Sequence, residues 1–348
     1  MVLRGHMVHW IPLDEPKYRL QGVKIHPTIL LKQSSAWNKF TWPVIRFFQV
    51  KKILRVIAPD LVHAINVKWA GWYATFASIA PVVLSTQGQD VMRAQNCDSD
   101  YIRSKLRKKT LESAAVVTYG SGPMLEDILH WSSPKHTLRY FAGVDFSKFD
   151  YSLDLKGFRS QLDFKGKIVI FSPRMFTENS NLEVLVKALP LVNQKVKNVV
   201  ILFARHLELD AYSNKLKNLI AELGVQDQCY FHGNITPEQM PYYYGVSDLV
   251  VSILSSDGMP ATVLEAIAMK KPLLLTEIPT YLELKKNVPS IEFCEPQNER
   301  STAEALIRML TKNPQNEVQD AYQWARENAG MQNMNDKLEA LYQKVLKE

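Results

Sequence analysis

Asp257 and Glu265 stand eight residues apart, flanking Gly258 and Pro260, in the stretch LSSDGMPATVLEAIAMKKPLL over residues 254–274. Pro fits the first turn of a helix, where its missing N–H has no partner to lose. The spacing therefore predicts a helix opening at Pro260, with the amides of Ala261, Thr262 and Val263 pointing outward. Those amides and the positive end of the helix dipole suit a diphosphate. Gly258 lets the backbone approach a ligand closely. Two carboxylates suit a ligand rich in hydroxyls, one acid at the loop and the other deeper along the helix. The same residues also describe an ordinary acidic loop before a core helix, and the segment by itself leaves both readings open.

The elements around this loop alternate. PVVLS, then IRSKLRKKTLESA, then AVVTYG is the pattern of parallel βαβ units with right-handed crossovers. The expected fold class is α/β, with two doubly wound, Rossmann-like domains. A length of 348 residues suits two cores of roughly 150 residues each. The boundary is placed in the polar segment 151–167, with one domain over 1–150 and the other over 166–330. Ligands in such sheets sit beyond the carboxyl ends of the strands. No fixed-period repeat or low-complexity tract occurs, which removes solenoids and coiled coils.

The 254–274 segment resembles the donor-site signature of the retaining GT-B glycosyltransferases, specifically glycosyltransferase family 4. The family's E-x7-E begins here with Asp257. The resemblance extends to KIVIFSPRMFTENSNLEVLVKAL (167–189), with Arg174 at the phosphate-binding position, and to VQDQCYFHGNITPEQMPYYYGVSDLVV (225–251), where His232 and Gly233 form the turn that approaches the base. PDLVHA (59–64), STQGQDV (85–91) and FAGVDFSKF (141–149) match landmarks of the first half. The resemblance implies that Asp257 and the Gly258 and Met259 amides touch the transferred sugar, that Glu265 holds the nucleotide ribose, and that Thr262 and Val263 line the donor site. Arg174 and the helix at Pro260 would then stabilise the leaving nucleotide diphosphate. A retaining outcome by front-face attack is implied by the resemblance alone. The nucleotide sugar is a substrate, so no cofactor is expected, and no metal.

Several positions depart from the family pattern. Asn179, taken as a donor-binding residue, stands where a Lys normally shares the leaving group with Arg174. In the first domain His63 matches a strand-end His, but Ile65 replaces its partner. Gln87 replaces another His, which leaves Gly88 and Asp90 as the better cleft candidates on the acceptor side, beside His63 and Gln87. TEIPTYLEL (276–284) lacks the glycines that precede Glu283 in relatives, and RHLELD (205–210) lacks a Gly-x-Gly turn. The family's opening strand, Gly-rich loop and helix have no counterpart before RGHMVHWI, so a first sheet lacking a central strand is expected, with unpaired edges. The last helix (333–348) is expected to cross back to the first domain. These departures keep open a non-catalytic GT-B protein that binds a nucleotide sugar or a partner enzyme, beside a hexosyl-type glycosyltransferase of surface polysaccharide or glycolipid assembly. A nucleotide-sugar epimerase on the same fold is a third reading.

The net charge of +7 is unevenly placed. No Asp or Glu occurs between Pro16 and Pro59, an interval holding Lys17, Arg19, Lys24, Lys32, Lys39, Arg46, Lys51, Lys52 and Arg55 among Trp37, Phe40, Trp42, Phe47 and Phe48. Such a surface can lie on anionic lipid headgroups. A helix over 42–57 with its aromatics in the core explains the same residues. The second basic cluster, Arg103, Lys105, Arg107, Lys108 and Lys109, reads as the solvated face of a helix, and no nucleic-acid partner is expected. Three cysteines (Cys97, Cys229, Cys294) without C-x-x-C spacing argue against a disulfide framework or structural zinc. With no export signal or membrane span legible, the expected location is cytoplasmic, peripheral on the inner face of the plasma membrane. The expected partners are a nucleotide-diphosphate sugar and a glycan or lipid-linked acceptor.

Overall fold

The computed structural model describes residues 1–16, 20–28, 36–93, 101–204, 211–233, 235–259, 261–312 and 315–347. Pro260, Cys97, Lys17, Arg19, Lys32 and the segment 205–210 lie outside the described residues, as do the side chains of Trp37, Lys39 and Phe40. The chain divides into two compact units, Met1–Phe141 with Asn335–Glu348, and Ala142–Met334.

The first unit runs β1 (Val8–Trp10), β2 (Val23–Ile25), α1 (Ala36–Ile57), β3 (Val62–Ile65), α2 (Trp69–Ala77), β4 (Val82–Ser85), α3 (Tyr101–Ser113), β5 (Val116–Tyr119), α4 (Gly122–Trp131) and β6 (Thr137–Arg139). Its strands form two parallel sheets, β1-β2 and β3-β4-β5-β6. Among the described residues, β1 and β3 each pair on one edge only. Valine-rich runs suit a pleated surface, and all four residues of β4 are buried, as a strand covered on both faces requires. One core gathers Leu84, Val117, Met124 and Ile128. A second joins Val83 and Val116 to Leu338, Leu341 and Val345 of the last helix.

Helix α1 begins six residues before the expected 42–57 span and carries Pro43 in its interior. Val50 and Leu54 pack on Tyr73 and Ala77 of α2. The other face is open to solvent at Val44, Ile45, Phe48 and Val56, with Lys52 and Arg55 between them. Part of the aromatic content is therefore outside the core. In the 103–109 cluster Arg103, Lys105, Lys108 and Lys109 are exposed as expected, and the correction is at Arg107. Arg107 is only 4% exposed and lies 4.5 Å over the Trp131 ring, so burial in a cation–π contact removes it from the solvated face.

The second unit runs α5 (Lys156–Gln161), β7 (Ile168–Ser172), α6 (Leu182–Val192), β8 (Val199–Phe203), α7 (Ala211–Glu222), β9 (Cys229–Phe231), α8 (Met240–Val246), β10 (Leu249–Ser252), α9 (Ala261–Ala268), β11 (Leu273–Thr276), α10 (Pro279–Lys285), β12 (Ile291–Cys294), α11 (Glu299–Thr311), α12 (Gln315–Ala329) and the start of α13 (Met331–Val345). Its single parallel sheet has the order β12-β11-β10-β7-β8-β9. From β7 the chain moves outward to β8 and β9, then returns to the other side of β7 as β10. The order reverses between β7 and β10. In parallel sheets such a reversal is where ligands bind, beyond the carboxyl ends of the strands.

The domain boundary differs from the expected one. Segment 151–167 contains α5, whose Phe158 packs edge-on against Tyr243 and whose Arg159 pairs with Asp248. The division falls earlier because Val144 bridges Gly330, and because Phe146 and Tyr151 both pack on Tyr322. Gly143 is needed at this seam, since a methyl there would meet the Met331 backbone nitrogen at 2.7 Å. Residues from Asn335 onward belong to the first unit, where α13 places Tyr342 against His63.

Candidate functional site

The carboxyl ends of β7 and β10 gather four polar side chains. Arg174 follows β7, Ser252 ends β10, Asp257 lies in the loop after β10, and Tyr281 comes from α10. The Arg174 Nε donates to Ser252 Oγ at 2.7 Å, and its terminal NH2 reaches Asp257 Oδ2 at 3.2 Å and Tyr281 Oη at 3.3 Å. Tyr281 in turn donates to the same Asp257 oxygen at 2.8 Å. Arg174 and Asp257 side chains are each 14% exposed, so the pair is shielded yet reachable. The sequence reading placed these two residues on different parts of a ligand. The structure pairs them with each other.

The loop carrying Asp257 is held by side chains from the opposite strand end. Both ends of the Asn179 amide are engaged by Ser256, Nδ2 on its carbonyl at 3.0 Å and Oδ1 accepting from its N–H at 3.1 Å. Asn181, in the left-handed region that Asn tolerates, donates to Ile253 O and Ser255 Oγ. Asn179 therefore braces the loop that carries Asp257, from the position where relatives place a Lys. From α10, Thr280 Oγ1 donates to the Asp257 carbonyl at 2.7 Å.

Gly258 is buried and Met259 half-buried on the way into α9. The first-turn amides of α9 have no acceptor within the helix. Val263 points into the core at 1% exposure, which leaves only its backbone to a ligand, while Thr262 Oγ1 is buried with no hydrogen-bond partner. Glu265 lies one turn further and accepts from Tyr244 Oη at 2.8 Å. Burial raises its pKa above the ordinary carboxylate value, against the Tyr244 hydrogen bond and the charges of Lys148 and Arg174, which favour ionisation. Lys148, Tyr244, Ser252, Thr280 and Tyr281 were not singled out from sequence. A hydroxyl or ammonium in a core-like or linker-like run carries no local signal of what it will face.

His232 and Gly233 follow β9, two strand spacings from β7, which is about 10 Å along the sheet. The His232 ring lies 2.9 Å from Tyr243 Oη.

In the first unit the four acceptor-side candidates separate. His63 is half-buried and held between Tyr342 Oη at 2.5 Å and Ser85 Oγ at 2.7 Å, and burial lowers its pKa to about 4. Asp90 spends both oxygens on backbone, accepting from Val67 N at 2.7 Å and Gln87 N at 2.8 Å, which makes it a brace for two strand-end turns. Gly88 has φ 92°, a conformation that favours glycine, and Gln87 is exposed. His63 and Asp90 thus have their polar atoms engaged within the unit, and Gln87 is the most exposed of the four. Of the four, His63 lines a cavity of about 780 Å³, whose walls are mainly apolar groups including Trp10, Leu13, Leu54, Trp69 and Tyr73, with Lys68 among the other polar ones.

Two family sequence models match the chain, "Glycosyl transferases group 1" over residues 156–327 and "Glycosyl transferase 4-like" over residues 2–121. Together they span both units. The chain belongs to the GT-B glycosyltransferases of the group 1, family 4 type. An uncharacterised glycosyltransferase of Methanocaldococcus jannaschii is 23% identical, across 93% of this chain and 88% of that protein. Sucrose-phosphate synthase of Thermosynechococcus elongatus superposes with a TM-score of 0.84 at 15% identity, covering 99% of this chain and 90% of that one. HepE of Anabaena, solved in complex with UDP-glucose, gives a TM-score of 0.77 at 16% identity, covering 92% and 86%. These structural likenesses show the GT-B fold. The glycosyltransferase takes a nucleotide sugar as donor.

Proposed function

We propose that this glycosyltransferase moves a hexose-type sugar from a nucleoside-diphosphate donor to a hydroxyl acceptor with retention, in surface polysaccharide or glycolipid assembly. The observation that carries the reading is the Arg174, Ser252, Asp257 and Tyr281 cluster at the point where the sheet order reverses. Arg174 and the α9 amides receive the diphosphate and stabilise the charge that develops on it as the glycosidic bond breaks. Asp257 with the Gly258 and Met259 amides takes the sugar hydroxyls, Glu265 the ribose, and the His232–Gly233 turn the base. HepE's complex with UDP-glucose supports a uridine donor. Purified protein is assayed against UDP-, GDP- and ADP-sugars. Loss of transfer in Asp257→Ala and Glu265→Ala is expected, and unchanged turnover would sink the site assignment.

The acceptor reading rests on the first unit. The mainly apolar cavity lined by His63 suits an acceptor with an apolar portion, such as a lipid-linked glycan. Among the described residues no helix is long and apolar enough to cross a membrane. Exposed Val44, Ile45, Phe48 and Val56, with Lys52 and Arg55 on the same helix face, support docking onto anionic lipid at the cytoplasmic side of a membrane. Co-sedimentation with phosphatidylglycerol vesicles is expected at low salt and lost in a Lys52→Glu, Arg55→Glu variant. Binding indifferent to both changes removes the membrane reading.

One observation favours a second reading, a protein that binds the donor without transfer. Asn179 replaces a cation and spends its amide on Ser256, which leaves Arg174 with less help at the diphosphate. Saturable donor binding with no turnover across an acceptor panel is its signature.

A further inference from the structure

The TEIPTYLEL segment stands where the family's glycines are expected, and the reading so far gives it no task. It supplies α10, and α10 grips Asp257 at both ends, Thr280 at the main-chain carbonyl and Tyr281 at the carboxylate. Tyr281 is fully buried and touches all three of the other polar groups: Asp257 at 2.8 Å, Arg174 at 3.3 Å and Ser252 at 3.3 Å. A phenol has one hydrogen to donate. Its shortest contact, on Asp257 Oδ2, is where that hydrogen belongs, since Arg174 can only donate.

The contacts of Arg174 are unequal. Its Nε sits 2.7 Å from Ser252, which anchors the guanidinium, whereas the NH2 contact to Asp257 is longer at 3.2 Å. A diphosphate arriving at Arg174 would compete for that NH2 and would bring negative charge close to Asp257. A carboxylate released by its cation beside an anion needs another donor, or it reclaims the cation.

We propose that Tyr281 is a positioning residue that holds the Asp257 carboxylate while Arg174 exchanges it for the donor diphosphate. The Tyr281 hydroxyl keeps Asp257 satisfied in both arrangements, and Ser252 keeps the guanidinium in place, so a single contact changes hands. Without the hydroxyl, Asp257 competes with the phosphates for Arg174. The inference rests on Arg174 being the diphosphate ligand.

The test is calorimetric titration of the full chain with UDP, GDP and ADP, in the wild type and in Arg174→Ala, Tyr281→Phe, Asp257→Asn and the Tyr281→Phe, Asp257→Asn double variant. Tyr281→Phe keeps the buried ring, and its melting curve reports whether it folds. Diphosphate affinity is expected to fall at least fivefold in Tyr281→Phe, and the loss to vanish in the Asp257→Asn background, where no competing charge remains. A merely structural Tyr281 would weaken binding equally in both backgrounds. That result, or wild-type affinity in Tyr281→Phe, overturns the proposal. Asp257→Asn alone tests the competition even if Tyr281→Phe does not fold. Tighter diphosphate binding supports it, and unchanged or weaker binding overturns it. Unchanged affinity in Arg174→Ala would remove the site reading itself, a failure distinct from that of Tyr281.

Discussion

Arg174 donates to Asp257 across 3.2 Å although 83 residues separate them, and neither residue reaches the other except through the adjacency of β7 and β10. With both side chains 14% exposed, the pair is better shielded than a surface ion pair, and removing one partner leaves a mostly buried charge. Arg174→Ala and Asp257→Ala are each expected to cost about 1–3 kcal/mol in urea unfolding. The double variant should cost less than the sum, because the second change removes the charge the first one stranded. Additive losses would show that the pair is not coupled.

Asn179→Ala removes the two-point hold on Ser256 and should destabilise the second unit by about 1–3 kcal/mol, since buried backbone groups lose their partner. Donor KM should rise with it, as the Asp257 loop loosens. A melting temperature equal to wild type would show that the loop does not need this brace.

Glu265 has its folded pKa raised by burial, so the folded state takes up a proton more readily than the unfolded chain. Stability attributable to this group is therefore greatest below the unfolded carboxylate pKa and declines as pH rises through the folded value. Glu265→Gln is expected to melt at or above the wild-type temperature at pH 8 while losing donor affinity. A lower melting temperature at pH 8 would contradict the burial penalty.

His63 carries the opposite sign. Its folded pKa of about 4 lies below the ordinary imidazole value of 6.5, so the unfolded chain binds more protons between them. Stability is complete above pH 6.5 and declines toward pH 4, by at most about 3 kcal/mol. His63→Gln should flatten this part of the pH profile of urea unfolding; an unchanged slope would assign it to other groups.

Gly143→Ala places a methyl 2.7 Å from the Met331 backbone nitrogen and 2.8 Å from the Ala329 carbonyl, atoms that cannot rotate away. The bridge between Val144 and Gly330 should open, with a loss of about 2 kcal/mol or more and faster proteolysis near residue 142. Wild-type protease resistance would show that the seam can shift to accept the methyl.

Much of the fold was legible because its signals are local. Alternating valine-rich runs and amphipathic helices follow from periods within a dozen residues, and they gave parallel βαβ units. The DGMPATVLEA stretch announced an acidic loop entering a helix that carries a second acid, and β10, Asp257 and α9 with Glu265 within it stand in that order. Segment 151–167 misled because a six-residue helix with mixed polarity has too little apolar periodicity to register. It is held by Phe158 on Tyr243 and Arg159 on Asp248, contacts that no window of sequence contains.

By itself the sequence determined which side chains were available and where the turns between elements fall, since propensity and capping act over a few residues. Tertiary structure decided who meets whom. The sheet order puts Arg174 within reach of Tyr281, 107 residues away, sets Asn179 as a brace for Ser256, and joins His63 to Tyr342 from the far end of the chain. Hydrogen-bond partners are fixed by which strand ends lie side by side, and that adjacency comes from packing the whole sheet.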